Sequence, residues 1–255
     1  MEFCGCPWAW VSVPQPQKGM PPWTRSAFCF VLPYFAGAAE GTISLYARGE
    51  DYHAVAARIL GAFEQELRKE HPCMQARVFC DSCRFDERKL ALSAGLGMRG
   101  MNGLFLHPEY GSYVFLAELL TDLPCDELPK EECFCEGCGA CLRACPTKAL
   151  EPSGVDTARC LSALTQKKGD LTPLQEAWVR QGGMVWGCDR CQTVCPHNRR
   201  VRPTPLEAFQ QDLLCHLPPL PSTEEEFGRQ YTGRAFTWRG KAPLERNLKI
   251  LEKKE

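Results

Sequence analysis

Cys135-Glu136-Gly137-Cys138-Gly139-Ala140-Cys141-Leu142-Arg143-Ala144-Cys145-Pro146, answered later by Cys188-Asp189-Arg190-Cys191-Gln192-Thr193-Val194-Cys195-Pro196, is the part of the sequence that decides its fold. The first block spaces its cysteines C-x2-C-x2-C-x3-C-P and the second C-x2-C-x3-C-P, with Cys160 alone between them. Intervals this short are too close for a disulfide framework and suit metal ligation. The chain holds 17 cysteines in 255 residues, a count that would suggest disulfides in a small secreted protein. Here Met1-Glu2-Phe3-Cys4-Gly5-Cys6 shows neither the basic nor the apolar region of a signal peptide. No apolar run approaches the roughly 20 residues of a membrane span. These features predict a reducing cytoplasm and no membrane.

In two-cluster bacterial ferredoxins, three closely spaced cysteines hold one cube and the cysteine before proline crosses to the other. On that pattern one [4Fe–4S] cluster takes Cys135, Cys138, Cys141 and Cys195, and a second takes Cys145, Cys160, Cys188 and Cys191. Such wrapping aims backbone N–H groups at the sulfurs, and Gly137 and Gly139 permit the tight turns it needs. The competing reading is zinc, since two CxxC pairs can form a four-cysteine ribbon. Zinc accounts for four of these cysteines and for neither Cys-Pro end. Cys29 sits in an apolar run and reads as core; Cys125 and Cys133 lie close enough to the module to stay in question.

Outside the module the chain is ordinary: 44% hydrophobic, 24% charged, net charge −1. That balance gives no global attraction to nucleic acid or anionic lipid. Residues 1–25, rich in Pro, Trp and Cys, show no clear period and predict irregular chain. Ser26 to Tyr34 predicts a buried strand, and Asp51 to His71 a helix on the spacing of Val55, Ile59, Leu60, Phe63 and Leu67. Ala76 to Cys80 predicts a strand, Glu87 to Ala94 a short helix, and Leu104–Leu106 and Tyr113–Leu120 further apolar runs. Strand, helix and strand alternate, so residues 1–125 predict an α/β domain. Residues 126–200 predict a ferredoxin-like double-cluster module, and 201–255 a Pro-rich wrap and a basic helix from Pro243; the whole is α+β.

Several stretches outside the ferredoxin pattern resemble the epoxyqueuosine reductase family. They are Leu45-Tyr46-Ala47-Arg48-Gly49-Glu50-Asp51-Tyr52-His53, then Cys80-Asp81-Ser82 with Glu87-Arg88, then Ala94-Gly95-Leu96-Gly97 with Gly100. Gly111-Ser112-Tyr113 through Thr121-Asp122-Leu123-Pro124, Cys160-Leu161-Ser162 and Trp186-Gly187-Cys188 complete the series. The resemblance implies a cobalamin-dependent reductase with two [4Fe–4S] clusters and a low-potential electron donor of ferredoxin or flavodoxin type. It makes residues 1–125 the corrinoid-binding domain, Asp81 the general acid, and Gly95, Gly97, Gly100, Gly103 and Ser112 the corrinoid contacts. On the residues alone, Asp81 is a strand-end turn aspartate and the glycines are turns. A carboxyl against a desolvated corrinoid face would have its pKa raised, which suits proton donation near neutral pH. No histidine is expected to ligate cobalt.

The sequence departs from the family at Cys83 and Arg84, where a small residue and proline usually follow Asp-Ser, and at Met98 and Met101 in the glycine loop. From Phe227 to Glu255 eight Lys/Arg face three Glu, interleaved with Tyr231, Phe236 and Trp238. Basic groups neutralise phosphates and aromatics stack on unpaired bases, so this tail predicts contact with a tRNA anticodon loop or, on the plainer reading, a solvated helix. Two other functions fit the cysteines: a ferredoxin-like electron carrier, and a reductase that activates a corrinoid on another protein.

Overall fold

The computed structural model of the chain describes residues 1–81, 83–151 and 154–253; Ser82 of the family-like stretch, and Lys254 and Glu255 of the basic tail, lie outside them. Strands β1 (Glu2–Phe3) and β2 (Cys6–Ser12) begin a five-stranded sheet and replace the irregular chain expected there. The signal was an alternation hidden among Pro, Cys and Gly. Trp8 and Trp10 face the aromatic side, where Trp10 stacks on Phe28 with ring centroids 4.8 Å apart, while Val11 and Val13 enter a second cluster on the other face.

Strand β3 (Ser26–Pro33) is buried at all eight positions, as its unbroken apolar run requires. Helix α1 (Tyr52–Glu70) follows, with Asp51 capping it by accepting from the His53 N–H at 3.0 Å. Its stripe of Val55, Ile59, Leu60 and Phe63 is buried on the aromatic face, where Phe63 meets Phe3, Phe28 and Phe30 edge-on. Each such side chain contributes roughly 1.5–3 kcal/mol of burial. Strand β4 (Ala76–Cys80) then enters the sheet, and helix α2 (Glu87–Ser93) covers the opposite face, capped by Asp86. A small hairpin of β5 (Met98–Arg99) and β6 (Phe105–Leu106) leads to β7 (Val114–Thr121).

The sheet order is β1-β2-β3-β7-β4 with every neighbouring pair antiparallel. Since β7 opposes both β3 and β4, those two run the same way and α1 is the crossover between them. The alternation of strand and helix thus produces a split β-α-β unit in a mixed α/β fold, because the Val114–Thr121 run inserts between its two strands.

The cysteine module is made of short helices: α3 (Ala140–Ala144), α4 (Leu161–Gln166), α5 (Pro173–Gly182) and α6 (Arg190–Thr193). The chain from 201 then wraps back over the sheet, where Thr204 Oγ1 donates to the Pro33 carbonyl at 2.6 Å. Helices α7 (Glu224–Gln230) and α8 (Ala242–Glu252) follow. The basic terminal helix is not merely solvated. Ile250 packs with Leu161, Leu164 and Val179, and Asn247, fully buried, donates to the Thr165 and Val185 carbonyls. Among the described residues no helix is long and apolar enough to cross a membrane.

Candidate functional site

Three cavities adjoin one another along the seam between the sheet and the cysteine module. The first is lined by Cys135, Cys138, Cys141 and Cys195. The second, about 360 Å³, is lined by Cys145, Cys160, Cys188 and Cys191 and extends over Val114, Phe115, Tyr34 and Tyr46. The third, about 150 Å³, is lined by Tyr52, Asp81, Glu87 and Arg88. Asn102 belongs to the walls of the first and second; Leu104, Ser112, Val114 and Phe115 belong to those of the second and third. Among the described residues no three His, Cys, Asp or Glu converge as around a single ion. Instead the two expected sets of four cysteines each ring one cavity.

Local chemistry favours ligation there. Gly137 and Gly139 have φ of 68° and 70°, the left-handed turns that let the backbone coil round the first cavity. The Met101 N–H donates to Cys135 Sγ at 3.4 Å and the Ala149 N–H to Cys145 Sγ at 3.3 Å. Burial pushes the Cys145 thiol up, but hydrogen bonds from Thr147 and the Ala149 backbone outweigh it and hold the thiol below its ordinary value. A sulfur held towards thiolate is a ready ligand. Cys133 and Cys125 line neither cavity, and Cys29 is wholly buried in the core.

A polar seam fixes the module on the sheet. Gln192 Oε1 accepts from Tyr34 Oη at 3.2 Å and from Ser112 Oγ at 2.9 Å, while Asn198 Nδ2 donates to Ser112 Oγ at 2.8 Å. Ser44 Oγ and the Leu45 N–H both donate to the Asp189 carboxylate. Each partner is satisfied, so the seam specifies one seating of the two parts.

Asp81 ends β4 with φ 56°, a left-handed position that Asp tolerates better than most residues. Its Oδ2 accepts from Tyr52 Oη at 2.5 Å and lies 3.9 Å from His53 Nε2; its own N–H donates to Glu87 Oε2 at 3.1 Å. Tyr52 is held flat on Phe115, with ring centroids 4.1 Å apart. Burial and then the Asp81 charge push the Tyr52 hydroxyl far up, so it stays a donor. Burial, then Asp81, raises Glu87, and the hydrogen bond to Asp51 raises His53. In the protein alone the Asp81 side chain is 59% exposed.

The expected corrinoid contacts divide. Ser112 lines the second and third cavities. Gly95, Gly97, Gly100 and Gly103 line neither: the Gly95 N–H closes the end of α2 on the Leu92 carbonyl, a Cβ at Gly97 would stand 2.2 Å from the Leu106 carbonyl oxygen, and Gly100 and Gly103 form the hairpin turn. Gly100 lines the first cavity. The His53 ring pairs through Nδ1 with Asp51, the cap of α1, at 2.9 Å, and His197 pairs with Glu136 at 2.8 Å beside the first cavity. In the basic tail Arg234, Lys241 and Arg246 are tied to backbone carbonyls, whereas Trp238 is 60% exposed under the stacked Arg239. Sequence reasoning gave no role to Glu87, Asn102 or Gln192. Glu87, the first residue of the helix after Asp81, was within reach of a spacing argument; the other two were not.

Comparison with known proteins gives a consistent picture. Residues 15–82 match a family model described as epoxyqueuosine reductase QueG (DUF1730), and residues 134–198 match a 4Fe-4S double cluster binding domain. The chain is 37% identical to the epoxyqueuosine reductase of Bacillus subtilis over 78% of its length and 52% of that protein. It is 34% identical to that of a Synechocystis species over 94% of its length and 88% of the other. Thus it spans about half the length of several curated relatives and most of one. Among solved structures it resembles an epoxyqueuosine reductase with a tRNA-Tyr epoxyqueuosine-modified stem loop, at TM-score 0.78 and 30% identity over 90% of this chain and 64% of that one. A Bacillus subtilis epoxyqueuosine reductase with its aspartate catalytic loop swung out of the active site gives TM-score 0.77 and 30% identity over the same shares.

Proposed function

Because this chain belongs to the epoxyqueuosine reductase family, we propose that it removes the epoxide oxygen of epoxyqueuosine in tRNA, using two [4Fe–4S] clusters and cobalamin. The observation that carries the reading is the run of three adjoining cavities: four cysteines, four cysteines, then Asp81. On this reading residues 1–125 form the corrinoid domain, 126–200 the cluster domain, and 201–255 the wrap and terminal helix. Relatives named as reductases match across both halves, which disfavours the carrier and corrinoid-activating alternatives.

The residues present fit the cofactors. Two sets of four cysteines suit two cubes. The second cavity continues from its cysteines over an apolar floor of Val114 and Phe115 with Tyr34, Tyr46 and Ser112 as polar points. Cobalamin bound there would supply a low-potential reductant facing the third cavity.

Taking oxygen from an epoxide to leave an alkene consumes two electrons and two protons and releases water. Asp81, at the mouth of the third cavity, gives a proton to the departing oxygen. The Tyr52 hydroxyl engages Oδ2 and leaves Oδ1 free for substrate. His53, biased towards its protonated form and 3.9 Å away, returns a proton to Asp81. The exposed side chain suits a target base that arrives on a large tRNA. The electrons come from a low-potential ferredoxin or flavodoxin type of donor, and the tRNA substrate makes the cytoplasm the working compartment.

The test is anaerobic purification, iron and cobalt assay, and turnover on epoxyqueuosine-containing tRNA with a reduced donor. Cluster-loaded, cobalamin-loaded protein that leaves both the tRNA and the free nucleoside unchanged would refute the substrate.

A further inference from the structure

The tip of the β5–β6 hairpin enters the wall between the two cysteine-lined cavities. Its turn is tied by the Gly103 N–H to the Gly100 carbonyl and the Gly100 N–H to the Leu104 carbonyl, both at 2.9 Å. On one side the Met101 N–H reaches Cys135 Sγ. On the other stands Asn102, only 5% exposed and shared by both cavity walls.

The Asn102 amide is half used. Oδ1 accepts from the Leu104 N–H at 3.2 Å, which shapes the turn. Nδ2 is buried without a partner among the described residues. A buried unpaired amide donor costs about 1–3 kcal/mol, so a native protein keeps one where something absent completes it. Its surroundings name that something. Asn102 stands in the wall of the cavity ringed by Cys145, Cys160, Cys188 and Cys191, while the neighbouring Met101 N–H already serves Cys135 of the other set. The seat is also specific, since a Cβ at Gly100 would stand 2.5 Å from Asn102 Oδ1.

Resting on the two-cluster reading above, we propose that Asn102 Nδ2 donates a hydrogen bond to the sulfur of the cluster held by Cys145, Cys160, Cys188 and Cys191, making Asn102 a positioning residue that sets that cluster's potential. A donor aimed at cluster sulfur stabilises the reduced, more negative cube and so raises its potential. The amide spans the partition between the clusters and favours an electron on the one next to the third cavity. The hydrogen bond exchanges no atoms; it only biases where the electron resides.

Asn102→Asp keeps the Oδ1 bond to Leu104 while removing the donor and adding a negative charge. Asn102→Leu, neutral and of similar volume, gives a second titration if repulsion costs the first variant a cluster. Reconstituted full-length protein without tRNA or cobalamin would be titrated anaerobically and followed by electron paramagnetic resonance, with iron assayed on the same samples. In each cluster-replete variant one midpoint should fall, by about tenfold in the one-electron equilibrium or about 59 mV, with the other moving less. Unmoved midpoints in cluster-replete variants overturn the proposal and leave the two-cluster reading standing. Equal movement of both midpoints also overturns it, since a general loosening would do that. A wild type without two cubane signals overturns the two-cluster reading itself.

Discussion

On the proposed function, Asp81→Asn separates proton donation from everything else Asp81 does. The side chain keeps its size, and at φ 56° Asn is tolerated as well as Asp, so the end of β4 keeps its shape. The amide oxygen still accepts from Tyr52, which therefore stays stacked on Phe115. Only the exchangeable proton and the charge are lost. A positioned general acid contributes about 10²–10⁴-fold, or about 3–5 kcal/mol of barrier, so turnover should fall by that factor. Stability should barely change. Asp81→Ala is the poorer probe, because a left-handed residue without a short polar side chain costs a further ~1–2 kcal/mol. The assay is single-turnover conversion of epoxyqueuosine-containing tRNA under reducing, oxygen-free conditions, with iron and cobalamin measured on the same sample. A fully loaded Asp81→Asn protein turning over at the wild-type rate would reduce Asp81 to a turn residue.

Three further outcomes are expected. Tyr52→Phe keeps the stacking on Phe115 but removes the donor to Asp81; a hydrogen bond to a charged group is worth about 1.5–3 kcal/mol, so kcat should drop about tenfold or more, and an unchanged kcat would remove Tyr52 from the site. Anaerobic protein should carry about eight irons per chain, with Cys138→Ser and Cys191→Ser each losing signal from a different cube; one zinc with no visible absorption would end the cluster reading. Glu118 is wholly buried with neither oxygen partnered among the described residues, and burial, then Glu87, holds its carboxyl well above the usual range. A group raised in the folded state stabilises fully below its unfolded pKa and loses that contribution as pH rises. Glu118→Gln should therefore gain on wild type by about 1.4 kcal/mol per pH unit above pH ~4, until Glu118 itself ionises; parallel denaturation curves at pH 5, 6 and 7 would show that Glu118 is not held protonated.

What the sequence revealed depended on how local the cause was. The cysteine sets were legible because a cube imposes its spacing on adjacent residues, and both expected sets of four ring their own cavities. Helix α1 was legible because its cap and stripe lie within one segment. Strand β2 was missed because Pro7 and Cys4-Gly5-Cys6 drew attention from the Trp8–Trp10 alternation. The glycines from Gly95 to Gly103 gave no local sign of their separate settings: Gly95 ends α2 against Lys130, Gly97 packs on Leu106, and Gly100 and Gly103 form the hairpin turn. Gln192 and Asn102 gave no signal at all. Their roles come from partners 158 and 80 residues away for Gln192, and from a partition that exists only once both cavities are built.

The exposure of Asp81 changes how its acidity has to be understood. An enzyme acting on a small molecule can bury its acid permanently and so keep the carboxyl protonated near neutral pH. A base carried on tRNA has to be delivered to an open mouth, and the mouth here is open, with Asp81 59% exposed above walls of Val114 and Phe115. On the proposed function, desolvation of Asp81 would come from the substrate as it fills this mouth. The protein contributes the fixed part: Tyr52 locked on Phe115, Glu87 raised by burial, and His53 biased towards its protonated form by Asp51. On that reading the site is complete only when the epoxide is in place.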